Sequence, residues 1–473
     1  MFIKKITAQN FRLFSASKVF EVDEINIPDS INEGSGLTAF VGENGCGKTS
    51  LLDVMALPLL SYKADSFSLN DFNNPEQKVL IEIFSKDNFE VASAMPKGSF
   101  KSKGFSFEAG VRSRDNKAYL SSVVVSDQKY IKADGVEKPK DGSPDLRVSV
   151  NNPFKGQRFD ENDILFLDRN RTYQTRSGTY NPTKFDRLMG DFDYQHIRNK
   201  QGGVDLNEKL DDIKKDIGND LFENTIKKFE EISGSKITLN FIDNWRPFSK
   251  CFFAEQKENN QQIPLNMLGS GFEMIFSLLY SFYLSQQSGK QLIVLLDEPE
   301  LHLHPSLLES FVKIVLEFSK TAQIVLCTHS PLFVKQLSYN KNVKIKILAK
   351  EKNMITVLPV EEKMLSYISS NEINYLAFRL VAEEYHNELY EELKYLKGDD
   401  KNIKQFDIDY FQSEKGEQVK YPWKGTQNIV SIHTFIRNQI HHQKDNGKAT
   451  LENIKVSITT MRGFLKDMKL SEA

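Results

Sequence analysis

The sequence predicts an α/β fold built round a parallel sheet, and three stretches carry that prediction. Leu37-Thr38-Ala39-Phe40-Val41 is a short apolar run that leads into a glycine-rich turn and then the helix-forming stretch 50–60. Residues 291–296 and 323–327 are unbroken apolar runs of strand length, as expected for a sheet buried on both faces. All three runs are assigned to one sheet.

The remaining elements follow in order. Residues 1–20 mix β-branched and aromatic positions in short alternating groups, which reads as two antiparallel strands with Asn10-Phe11-Arg12 between them. From about Ser61 to Asn162 the chain is polar, with β-like runs at 78–84 and 119–125, and is expected to form a side sheet with variable loops. Leu210, Ile213, Ile217, Leu221, Phe222, Ile226 and Phe229 recur at helical spacing and predict a short helical insertion. Ile454, Ile458, Met461, Leu465 and Met468 keep a four-three rhythm, so the C-terminal part is expected to be mainly helical. The predicted organisation is 1–200 for an N-terminal lobe with the side sheet, 201–260 for the insertion, 261–350 for a second lobe, and 351–473 for the helical domain.

Composition narrows the function classes. With 62 Lys+Arg against 64 Asp+Glu the net charge of the 473 residues is −2, so any nucleic-acid surface must be local. Cys46, Cys251 and Cys327 form no CxxC pair, which argues against a disulfide framework and a cysteine-built zinc site and fits a reducing cytoplasm. No stretch approaches the length of apolar sequence that a membrane span needs, and no membrane partner is expected.

Gly42-Glu43-Asn44-Gly45-Cys46-Gly47-Lys48-Thr49 fits G-x-x-x-x-G-K-[ST] between a predicted strand and a predicted helix. Glycines let successive N–H groups and the helix N-terminus face phosphate. Gly42, Asn44, Gly45, Gly47, Lys48, Thr49 and Ser50 are therefore assigned to ATP, with Lys48 reaching the β- and γ-phosphates and Thr49 offering its hydroxyl to Mg²⁺. Downstream, a buried strand ends in Asp297-Glu298-Pro299: Asp297 is assigned to the Mg²⁺ shell and Glu298 to proton acceptance from the attacking water. Leu268-Gly269-Ser270-Gly271-Phe272-Glu273 precedes an apolar helix and reads as a second phosphate cradle. One chain has one P-loop, so Ser270 and Gly271 are assigned to the nucleotide of another protomer. His329, in Cys327-Thr328-His329-Ser330-Pro331, ends a buried strand and is assigned as a γ-phosphate sensor.

Together with Leu301-His302-Leu303-His304-Pro305, these motifs resemble the ABC-type ATPase head shared by RecF, SMC and OLD-like proteins. The resemblance covers about residues 1–60 and 265–345, and the signature departs from the common LSGGQ wording. It implies a nucleotide-sandwich homodimer, with Ser270 and Gly271 of one protomer closing on ATP held by Lys48 of the other. It further implies that Arg12 lies near nucleotide and that Gln174 belongs to a metal-sensing glutamine loop. The wording of 369–396 and 435–442 resembles the ATPases of Septu systems (PtuA, also found beside retrons), with the PARIS ATPase (AriA) a near alternative. That resemblance implies an oligomeric antiphage scaffold that controls a separate effector nuclease or toxin.

Three alternatives stand beside this reading. Arg437 and His442 make an R-x4-H spacing like that of HEPN-type ribonucleases, while a basic helix end also serves as an ordinary charge complement. Ile429, Ile432, Ile436 and Ile440 are expected to place this motif on one helix. An OLD-like topoisomerase-primase domain would use a pair such as Asp407 and Asp409, but the expected Glu-Gly turn is replaced by the lysine-rich run 344–352, so both are read as surface carboxylates. A RecF-like repair ATPase with nucleic acid as partner would need a basic surface, for which Arg112, Arg114, Arg169, Arg171 and Arg176 with Lys97, Lys101 and Lys103 are candidates.

Overall fold

The computed structural model describes residues 2–56, 68–94, 97–112, 116–125, 128–130, 164–167, 220–234, 237–243, 250–256, 261–264, 271–272, 274–275, 278–279, 282–283, 286, 291–351, 354–398, 400–418, 420–423, 429–442 and 447–472. Gln174, Ser270, Arg114, Arg169, Arg171 and Arg176 lie outside the described residues, as does the part of the predicted insertion helix before Asp220. The chain divides into two compact units, Met1–Pro359 and Val360–Ala473.

In the first unit the three apolar runs form adjacent parallel strands: β3 (Leu37–Val41), β12 (Ile293–Asp297) and β13 (Gln323–Thr328). Their register pairs Leu295 with Val325 and Val325 with Thr38. Every residue of the three strands is buried, which is why their sequences show no polar alternation. Among the described residues the sheet is completed by β8 (Ile164–Leu167) beside β12, and by β14 (Lys344–Glu351) and β15 (Met354–Pro359) beyond β3. The order β15-β14-β3-β13-β12-β8 places the C-terminal ends of β3, β13 and β12 side by side, where open α/β sheets carry their chemistry. Helix α1 (Lys48–Ala56) follows β3 and is buried along nearly its whole length.

The side sheet is antiparallel. β1 (Ile3–Gln9) pairs with β2 (Phe20–Val22) and with β4 (Val79–Ala94), which continues to β5 (Lys97–Arg112), β6 (Lys117–Val125) and β7 (Gln128–Tyr130). Between β1 and β2 the chain turns back on itself through Asn10 N to Ser15 O and Phe14 N to Phe11 O bonds. Asn10 is fully buried at φ 59°, and its amide nitrogen donates to the carbonyls of Asn74 and Gln77, both at 2.8 Å. β9 (Ile237–Asp243), β10 (Lys250–Gln256) and β11 (Gln261–Pro264) form a smaller antiparallel sheet after helix α2 (Asp220–Ile232). α3 (Pro305–Phe318) precedes β13, and α4 (Pro331–Leu337) follows it, with Ser330 capping through its side chain.

The second unit is mainly helical: α5 (Ser370–Phe378), α6 (Glu383–Gly398), α7 (Ile403–Phe406) running into a π-helical turn at Asp407–Glu414, α8 (Ile432–His441) and α9 (Leu451–Glu472). Ile454, Ile458, Met461 and Leu465 are buried along one face of α9, as their spacing predicts. Two expectations are corrected here. Ile429 is exposed and lies in the short strand β17 (Ile429–Val430), which pairs with β16 (Tyr421–Pro422), because Ser431 caps α8 and starts the helix after it. Asp407 is fully buried rather than on the surface, accepting hydrogen bonds from Ser431 N, Ser431 Oγ and Gln412 Nε2, whereas Asp409 is more exposed and paired with Lys401 at 2.8 Å.

Two buried histidines give this unit a pH dependence. His386 Nε2 and His433 Nδ1 share Ser457 Oγ at 2.9 and 2.7 Å, linking α6, α8 and α9. Burial pushes both imidazoles down from 6.5 to about 3. Each is neutral when folded and charges on unfolding between those limits, so their contribution is complete above pH 6.5 and is lost as pH falls toward 3. With two protons taken up, the slope approaches about 3 kcal/mol per pH unit. Hydrogen exchange across α6 in the full chain, corrected for the intrinsic rate, is expected to lose protection between pH 7.5 and pH 5; unchanged protection would contradict this linkage.

Candidate nucleotide site

The loop between β3 and α1 bends where its glycines allow. Gly45 and Gly47 take φ 77° and 90°, the left-handed region that favours glycine. At Gly42 a Cβ would lie 2.2 Å from the Leu348 carbonyl oxygen, whereas one at Gly45 would meet nothing within 4 Å. The loop is thus packed against β14 at its base and open at its crest, where Asn44 is also exposed.

Lys48 is buried, and its Nζ donates to the carbonyls of Gly42 and Glu43 at 2.7 and 2.9 Å, across the loop. Thr49 Oγ1 donates to Asp297 Oδ2 at 2.8 Å, joining α1 to the end of β12 across 248 positions of sequence. Ser50 is buried in the first turn of α1. Glu298, buried and at φ 49°, donates its backbone N–H to Cys327 O at 2.8 Å, and its Oε1 lies 3.3 Å from His329 Nδ1. A glutamate in the left-handed region is costly and persists where neighbours over-determine it. The structure therefore brings Lys48, Thr49, Asp297, Glu298 and His329 to three adjacent strand ends.

Two cysteines line this floor. Burial pushes the Cys46 thiol up against the opposing effect of Lys48, and raises the fully buried Cys327 well above its usual range. Both are kept as neutral thiols.

A family model described as "AAA domain, putative AbiEii toxin, Type IV TA system" matches residues 37–335. The chain belongs to this AAA domain family. Its P-loop, Gly42–Thr49, falls within the matched residues. Protein ea59 of Escherichia phage lambda is 26% identical over 329 residues, covering 67% of this chain and 49% of that protein. The OLD nuclease of Thermus scotoductus (strain ATCC 700910 / SA-01) is 24% identical over 358 residues, 70% of this chain and 59% of that protein. The chain thus spans about half the length of the curated relatives it matches. Among solved structures, an Smc head bound to the C-winged helix domain of ScpA is 15% identical, covering 76% of this chain and 97% of that one with a TM-score of 0.45. The SMC head domain from Thermotoga maritima is 14% identical, covering 76% and 100%, with a TM-score of 0.35.

Two residues of the first unit make contacts that the sequence does not announce. Arg12, expected beside nucleotide, directs Nη1 to the buried Asp53 of α1 and Nε to Asp71 at 2.8 Å, with its guanidinium 5.1 Å from the Phe11 ring centre. Two carboxylates, 41 and 59 positions away, engage the cation beside the P-loop helix. Arg12→Ala leaves Asp53 buried without this cation and is expected to destabilise the protein by about 2–4 kcal/mol. A urea midpoint within error of the parent would contradict that pairing. Glu300 was not singled out in the sequence, though it is the last residue of Asp-Glu-Pro-Glu. Its Oε1 accepts from Thr328 Oγ1 at 2.6 Å and from His329 N at 3.3 Å, while burial pushes its carboxyl up.

Gly271 is buried and helical, while Ser270 lies outside the described residues. In the second unit Arg437 pairs with Glu391 at 3.6 Å, and His442, at the C-terminal cap of α8, donates its backbone N–H to Asn438 O at 2.8 Å. Among the described residues no helix is long and apolar enough to cross a membrane.

Proposed function

We propose that this chain is a Mg²⁺-dependent ATPase switch of bacterial antiphage defence, closing as a homodimer on ATP and controlling a separate effector nuclease or toxin. The observation that carries the enzymatic part is the convergence of Lys48, Thr49, Asp297, Glu298 and His329, with Thr49 and Asp297 2.8 Å apart and Glu298 and His329 3.3 Å apart. The defence part is supported by the toxin wording of the family description and by the likeness to an OLD nuclease.

The residues present fit Mg²⁺ and a nucleotide. The hydroxyl of Thr49 and the carboxylate of Asp297 are hard oxygen donors held together, and Gly45 leaves open space at the crest of the loop. Thr49 and Asp297 would hold Mg²⁺, which supplies neutralisation of phosphate charge when bound. Lys48 is the cation of the loop: its ammonium rests on two neutral carbonyls and exchanges them for phosphate oxygens. Glu298 accepts the proton of the attacking water at a carboxylate oxygen, with the His329 ring beside that carboxylate. Gly271 with Ser270 contributes the second cradle from the other protomer.

The test is an assay of the purified chain with Mg²⁺ and ATP against plasmid, linear duplex DNA and total tRNA, beside His442→Ala. The expected result is ATP turnover with every nucleic acid intact. RNA cleavage by the parent and not by His442→Ala would move the effector into this chain; absent ATP turnover would contradict the enzymatic reading.

A further inference from the structure

The hydrolytic centre stands on a turn and a strand end that are fastened by one side chain. After Glu298 the chain makes a tight 3₁₀ turn, Pro299–His302, which returns Glu300 toward β13. Glu298 N bonds to Cys327 O from one side of that turn, and Glu300 Oε1 accepts from the next two residues, Thr328 Oγ1 at the end of β13 and His329 N just after it. Thr328 Oγ1 in turn accepts from Ser330 N at 2.9 Å, and Ser330 Oγ accepts from Phe333 N at the start of α4. Three successive residues of the switch, 328 to 330, are thereby referred to one carboxylate.

We propose that Glu300 is a positioning residue for ATP hydrolysis, acting through the switch: by fastening Thr328 and His329 to the turn after β12, it holds the imidazole of His329 against Glu298. The proposal deepens the ATPase reading given above and rests on it. Two features separate it from ordinary turn packing. Both bonds fall on a single oxygen, Oε1, so an amide in the same place reproduces them; and Oε2 is buried with no hydrogen-bond partner. Placement matters here because a reacting group displaced by about 1 Å can cost on the order of 100-fold in rate. Lys48 instead bonds the carbonyls of Gly42 and Glu43, and Thr49 bonds Asp297, so nucleotide affinity is expected to change little.

The experiment compares the parent with Glu300→Ala, Glu300→Gln, Thr328→Val and the Glu300→Ala/Thr328→Val double variant. It reads kcat and KM for ATP with Mg²⁺, together with the ring ¹³C resonance of His329 in nucleotide-free full-length protein, assigned by its loss in His329→Ala. Glu300→Ala is expected to lower kcat by roughly 10–100-fold with KM within about threefold. Its His329 resonance shifts, Glu300→Gln restores both readouts, and the double variant is no worse than the more damaging single one. A Glu300→Ala protein with unshifted His329 and kcat within twofold of the parent would overturn the proposal, as would a Glu300→Gln protein as impaired as Glu300→Ala. If the parent itself turns over no ATP, the ATPase reading fails, and the His329 resonance still decides whether Glu300 holds the switch.

Discussion

Glu298→Gln is expected to lower kcat by roughly 10²–10⁴-fold, the usual worth of a general base, while KM for ATP moves by no more than about threefold. The carboxylate ends β12 at φ 49°, its backbone tied to Cys327 O and its Oε1 3.3 Å from His329 Nδ1. An amide of the same shape fits this space and keeps the turn, but it cannot take a proton from water at neutral pH. Binding groups are untouched, so ATP is held and not consumed. Single-turnover kinetics with radiolabelled ATP would separate the two effects. A Glu298→Gln protein that turns over ATP at the parent rate would remove Glu298 from the chemistry.

Lys48→Ala is expected to act on binding instead, weakening ATP by on the order of 100-fold. Lys48 is buried at the start of α1, and the two groups it bonds, the carbonyls of Gly42 and Glu43, are neutral. Loss of the ammonium therefore strands no buried anion that these bonds serve, and the loop keeps its backbone shape through Gly45 and Gly47. Titration calorimetry with a non-hydrolysable ATP analogue checks the prediction. Unchanged affinity would contradict the assignment of the P-loop.

What could be read in the sequence was local. Leu37–Val41 and the runs ending at Asp297 and Thr328 are apolar throughout because both faces of the sheet are covered, and a buried parallel strand announces itself in that way. The glycines of the P-loop are likewise dictated locally, by φ values and by the close approach of Leu348 O to Gly42. Pairings across long sequence distance left no such mark. Arg12 meets Asp53 and Asp71 only once the turn at Asn10 has formed, and nothing in Asn-Phe-Arg points to those two carboxylates. Asp407 reads as a surface residue until Ser431 is brought to it from 24 positions away. Glu300 is hidden for the same reason: its role depends on the end of β13 lying beside the turn after β12, a register that only the assembled sheet supplies. α8 starts only after Ile429, at Ser431, whose side chain is a readable capping signal.

The proposed site is shared between two protomers and closes on ATP. Light scattering of Glu298→Gln in Mg²⁺ with saturating ATP, and again with ADP, tests it most directly. A doubling of mass is expected with ATP, none with ADP, and none with ATP when Lys48→Ala is added. A Glu298→Gln protein that binds ATP and keeps the same mass in both nucleotides would contradict it.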